Sequence, residues 1–138
     1  MKKYSVYLLT ICVIALFGCS KSSGGGTPTP TPTPTPQEQA IAFTIDAINN
    51  SVSTSSNFGV NLTLTSTMPS SGIKIDITTT DQITSAVVQN QSFTSSLAKN
   101  TLTVATLIQQ HWNNVTIKVS SVANSSNSSS QSFTVVYK

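Results

Sequence analysis

Histidine is all but missing from this chain: among 138 residues only His111 is present. That excludes a metal site built from several imidazoles and leaves any Ser-His-Asp triad resting on one residue. Arginine is absent, and seven lysines face four acids, Glu38, Asp46, Asp76 and Asp81. Without Lys2 and Lys3, five lysines remain against those four acids, and the net charge is close to neutral. Charges this few and scattered form no basic stripe to track phosphates, which argues against nucleic acid as a partner. No Asp-x-Asp cluster supplies the closely spaced oxygens of a calcium loop. No metal and no cofactor is expected. The longest apolar run, "YSVYLLTICVIALF" from Tyr4 to Phe17, falls short of the ~20 residues that span a bilayer as a helix.

That run comes after the positive pair Lys2 and Lys3 and has the length of a secretory h-region, so residues 1–18 read as a signal peptide. Its end, Leu16-Phe17-Gly18-Cys19, resembles a bacterial lipobox, with Phe17 where a small or β-branched residue is commoner. The resemblance implies lipidation of Cys19: Gly18 admits the peptidase to the backbone, and the thiol receives a diacylglycerol. Of the two cysteines, Cys12 falls inside the h-region and would be removed, so no disulfide is expected in the mature chain. With two or three palmitate-type chains on Cys19, each buried methylene adds about 0.8 kcal/mol and anchoring becomes stable. The expected partner is therefore a membrane, reached through N-terminal lipid.

Residues 19–39 change character. "SKSSGGG" supplies a flexible hinge, and five Thr-Pro pairs from Thr27 to Pro36 favour an extended polyproline rod. At ~3.1 Å per residue the rod would hold the C-terminal part of the chain on the order of 30 Å from the bilayer. The layout of lipobox, Ser/Gly hinge and Pro-rich spacer resembles small lipoproteins of the Bacteroidota. That implies a lipid-anchored protein of the cell envelope, in the outer membrane. The hinge lacks the acidic cluster that resembles a surface-export signal, which leaves both the periplasmic and the outer face open.

From residue 40 onward the apolar residues recur with period two. "AIAFTIDA" puts Ile41, Phe43 and Ile45 on one face, "GVNLTLTST" Val60, Leu62 and Leu64, and "GIKIDITTT" Ile73, Ile75 and Ile77. "TSAVVQ" (84–89) and "TLTVATL" (101–107) are weaker. "NVTIKVSSV" and "SFTVVYK" restore the pattern with Val115, Ile117, Val119 and with Phe133, Val135, Tyr137. About seven strands joined by turn-rich pieces predict an all-β fold, an antiparallel sandwich spanning 40–138. "ATLIQQHW" (105–112) reads as a loop, "NSSNSSSQS" (124–132) as a mobile hairpin tip, and the first or last strand as an edge open to a partner strand.

The closing segment "WNNVTIKVSSVANSSNSSSQSFTVVYK" resembles the last hairpin of the bacterial Ig-like and fibronectin type III-like modules of envelope proteins. The resemblance is one of pattern and implies an Ig-like sandwich that binds or spaces something, without catalysis.

Chemistry-bearing groups are sparse. Asp46, Asp76 and Asp81 fall at strand ends or on an outer face, where solvation accounts for them and no glycosidase-like pair is evident. The sharpest local feature is His111-Trp112 within "QQHWNN". Trp112, the sole tryptophan, is expected to plug the core or an end of the sandwich. If instead it is exposed beside His111, the two become candidate ligand-binding residues and a glycan the candidate ligand, since indoles stack on sugar faces and amides satisfy hydroxyls. A small hydrolase would need His111 brought together with an Asp and a Ser.

Overall fold

The computed structural model describes residues 37–138. The period-two segments form β1 (Phe43–Ile45), β2 (Ser51–Ser53), β3 (Phe58–Leu64), β4 (Ile73–Asp81), β5 (Val87–Ser95), β6 (Lys99–Val104), β7 (Trp112–Ser121) and β8 (Ser128–Tyr137). One sheet has the order β1-β3-β6, the other β2-β8-β7-β4-β5. Only β4-β5 and β7-β8 are consecutive strands paired as hairpins; every other connection changes sheet. The result is an all-β sandwich, in keeping with the Ig-like arrangement expected.

The alternation explains the layering. Val60, Leu62 and Leu64 of β3 and Leu102 and Val104 of β6 project from one sheet. They share a buried cluster with Ile73, Ile75 and Ile77 of β4, Val115, Ile117 and Val119 of β7, and Phe133 and Val135 of β8. Burying each such side chain contributes about 1.5–3 kcal/mol against a conformational entropy cost of similar total size. Phe58 and Phe133 meet across the sheets with ring centroids 6.0 Å apart.

Several expectations are corrected. Among the described residues there are eight strands where about seven were expected, because β2, three residues long, pairs with β8, and this pairing is parallel. The fourth expected strand, at 84–89, lies instead at Val87–Ser95, since Asp81–Ala86 forms a turn closed by Asp81 N–H on the Ala86 carbonyl at 2.9 Å. The last strand is no edge: β8 lies between β7 and β2. Ser128–Ser132, expected in a hairpin tip, extend β8 opposite Thr116–Ser120 of β7. The chain just before residue 40 is bonded to the far end of β7. Ser121 Oγ donates to Glu38 Oε1 at 3.0 Å, Asn127 Nδ2 donates to the Gln39 carbonyl at 2.9 Å, and Ile41 N–H donates to Asn127 Oδ1 at 2.9 Å. Glu38 and Gln39 are thus docked on the β7-β8 turn.

The outer rim where β5 meets β6 is closed by one side chain. Gln89 Oε1 accepts from Ala105 N–H at 2.9 Å, and its Nε2 donates to the Thr103 carbonyl at 3.3 Å. Thr106 Oγ1 donates to the Val88 carbonyl at 2.7 Å beside it. Backbone groups that β6 would otherwise leave unpaired are satisfied from the opposite sheet.

Candidate functional site

The docked N-terminal segment and the chemistry-bearing residues lie at opposite ends of the sandwich. β7 runs between them, from Trp112 to Ser121, which at ~3.3 Å per residue is roughly 30 Å.

Asp81 closes β4. The inward series Ile73, Ile75, Ile77, Thr79 continues to it, and its side chain is fully buried. The expectation that solvation accounts for all three aspartates fails here. Oδ1 accepts from Ile83 N–H at 3.2 Å and lies 3.0 Å from His111 Nδ1; Oδ2 accepts from Thr84 N–H at 3.0 Å and from the Thr84 hydroxyl. The Thr84 hydroxyl does most to hold the carboxyl at about 2. Burial opposes it, and the Ile83 and Thr84 amides and His111 reinforce it. An ionised carboxylate only accepts, so Nδ1 of the half-buried His111 carries the proton and donates, which leaves Nε2 as the free ring nitrogen.

Asn113 builds the loop that carries His111. Fully buried, its Nδ2 donates to the carbonyls of His111 (2.9 Å) and Ile108 (3.4 Å), and its Oδ1 accepts from Ile108 N–H at 3.4 Å. The loop is pinned further by Gln110 N–H on the Tyr137 carbonyl at 2.7 Å. The inward placement of Asn113 and Asp81 escapes a reading by composition, yet both follow from parity. Counting back from Val115 puts Asn113 inward, and counting on from Ile77 does the same for Asp81.

The same count turns Trp112 outward. Trp112 is 38% exposed, so it does not plug the core. It lies opposite Val136 of β8, which lies opposite Val52 of β2. Val136 is buried yet stands outside the core cluster, on the outer face of the five-stranded sheet with Trp112 and Val52 as its register neighbours. Beside this apolar row, Asn114 shares the Trp112 face, and Gln82 Nε2 donates to its Oδ1 at 3.1 Å. Gln82 N–H in turn donates to the Trp112 carbonyl at 2.9 Å. An exposed ring rimmed by amides is a surface on which a sugar ring can stack while its hydroxyls find partners.

His111 and Trp112, adjacent in the chain, thus have different engagements: one is bonded to Asp81, the other stands on the sheet face. Two members of a Ser-His-Asp arrangement meet, but among the described residues no serine or threonine hydroxyl is hydrogen-bonded to His111. Asp46 is exposed and accepts from Asn61 N–H at 2.8 Å; Asp76 lies 3.0 Å from Lys74 Nζ. No cluster of three metal-ligating side chains occurs among the described residues. Cys19, Lys2, Lys3 and the Thr-Pro pairs lie outside the described residues. The chain matches no protein-family model, no curated protein and no solved structure.

Proposed function

We propose that this is a lipid-anchored protein of a bacterial cell envelope whose sandwich is a non-catalytic binding module for a glycan. The observation that carries the reading is the exposed indole of Trp112 on the outer sheet face, beside Asn114 and Gln82 and at the end remote from Glu38. A spacer needs no ring there. The amide partners Asn114 and Gln82 carry no charge, which favours a neutral polysaccharide over an acidic one. The anchor rests on Leu16-Phe17-Gly18-Cys19 and the Thr-Pro spacer, with the outer membrane as the site and either of its faces open.

Retention of the full chain on a panel of neutral polysaccharides tests the module. Wild type is retained on at least one, Trp112→Phe keeps much of the binding, and Trp112→Ala loses it with an unchanged melting temperature. No retention on any member, or equal retention by Trp112→Ala, leaves the module as a spacer. For the anchor, Cys19→Ala moves the protein from the membrane to the soluble fraction; a variant still fractionating with membranes removes the lipoprotein reading. Protease shaving of intact cells, against a lysed control, then decides the face.

A further inference from the structure

The four strand edges of the sandwich are not equally guarded. β1 and β2 are three residues each, and β6 begins at Lys99 and has its rim closed by Gln89. β5 is different: nine residues, "VVQNQSFTS", at the edge of the larger sheet, with no charge and no proline. Its one irregularity is at the Val88 end, where the register with β4 shifts and Thr106 covers the Val88 carbonyl. From Gln89 to Ser95 it pairs with β4 in regular register. Sheet edges of this length and polarity are normally blunted by charge, proline or cover, because a free ladder of N–H and C=O groups templates another strand.

Large apolar side chains stand exposed at both ends of this edge. Val87 is 60% exposed at its start, with Ile83 at 69% in the turn before it, and Leu97 is 64% exposed just past its end. A second copy of β5, laid antiparallel with Ser92 on the two-fold axis, brings the Val87 end of one copy to the Leu97 end of the other, and the reverse, with the register slip at Val88 setting Val87 one place short of Leu97. The same register sets Asn90 opposite Thr94 and no charge opposite a like charge, which is what self-pairing requires.

We infer that the chain self-associates through β5, as an antiparallel edge-to-edge dimer centred on Ser92 that joins two five-stranded sheets into one of ten. The occupant is a second copy, because an isologous partner brings an exposed apolar end of its own to each end of this uncharged edge. The Trp112 row lies on a sheet face and not on this edge, so the dimer neither requires nor blocks the proposed glycan surface.

The test is oxidative crosslinking of the full chain in cells. Ser92→Cys gives a disulfide-linked dimer above the background set by wild type with its own Cys12 and Cys19, while Ser130→Cys, on the outer face of β8, does not. Adding Asn90→Asp with Thr94→Asp to Ser92→Cys, which places acids opposite acids, returns the dimer to background. Asn90→Lys with Thr94→Asp, which places opposite charges together, restores it. A Ser92→Cys chain that stays at background overturns the inference, as does equal crosslinking through Ser130→Cys or an adduct to a different protein. Dimer that survives the Asp pair overturns the register.

Discussion

His111 Nδ1 stands 3.0 Å from Asp81 Oδ1 across thirty residues of chain, and this contact joins the β4-β5 turn to the β6-β7 loop. A fully buried carboxylate would be costly without partners. Here the Thr84 hydroxyl, two backbone amides and the imidazole supply them.

Acid should therefore loosen this end of the sandwich. The Asp81 carboxyl, at about 2 when folded, lies below the ~3.9 of an unfolded aspartate. Its contribution is complete above about pH 4 and is lost as pH falls toward 2, because the unfolded chain then binds the proton more readily. Melting temperatures recorded from pH 6 to 2 should fall across that window. Asp81→Asn should start lower and fall less steeply. Some decline persists in the variant, since Asp46 and Asp76 are also held below their ordinary range, Asp46 mainly by the Asn61 amide, and Asp76 by Ser92 and Lys74 against the opposing effect of burial.

Gly72 should not tolerate a side chain. It has φ +81°, and a Cβ there would lie 2.8 Å from the Ser95 backbone carbonyl oxygen. Gly72→Ala combines left-handed strain with displacement of the β5 end and should cost roughly 1–3 kcal/mol, read as a lower denaturant midpoint at unchanged slope.

Core truncations should scale with what they empty. Phe133 and Ile77 are both buried, so Phe133→Ala should cost about 3–5 kcal/mol and Ile77→Val about 0.5–1.5 kcal/mol. The first consumes much of the stability available to a domain of this size, and chemical denaturation should find a large unfolded fraction in buffer. If the two variants unfold at the same denaturant concentration, the sandwich core is not where the stability lies.

Trp112 reports its own position, because it is the sole tryptophan. Emission should be red-shifted and readily quenched by acrylamide in the folded chain. A blue-shifted, unquenched spectrum would put the indole in the core and remove the proposed glycan surface. Val52→Ala, which trims the far end of the apolar row, should leave folding intact and weaken polysaccharide retention less than Trp112→Ala.

Gln89 joins two sheets that share no backbone ladder. Gln89→Ala leaves Ala105 N–H and the Thr103 carbonyl without their side-chain partners and should cost roughly 1–3 kcal/mol if water cannot replace it. Hydrogen exchange at Ala105 should quicken selectively, with the β7 amides unchanged.

Much of this architecture is legible in the residue pattern because β3, β4, β6, β7 and β8 each have one face in the core and one in water. The pattern misplaces β5 for the opposite reason. As an edge strand it buries little on either side, and Gln89, Gln91 and Asn90 blur the period. β2 has no side-chain signature at all, being defined by its hydrogen bonds to β8. At the site, Trp112 is misplaced when its size is weighed above its parity. Asp81 and Asn113, polar residues on inward positions, carry a signal that composition hides and alternation reveals. The His111–Asp81 contact itself is not legible in the sequence, since it depends on how the β4-β5 hairpin turn and the β6-β7 crossover loop meet.

Glu38 to Ile41 dock at the Asn127 end, and Trp112 stands roughly 30 Å away along β7. A ligand pulled at Trp112 while the N-terminus is held would stretch the module lengthwise. β7 is laddered to β4 and to β8 by nine register pairs on each side. Force along its axis strains those bonds together in shear instead of peeling them one after another. The weak element under tension is then the polar latch of Glu38 and Asn127 with the short β1 behind it. That latch can yield and free Glu38 to Ile41 from the β7-β8 turn before the sandwich itself gives way.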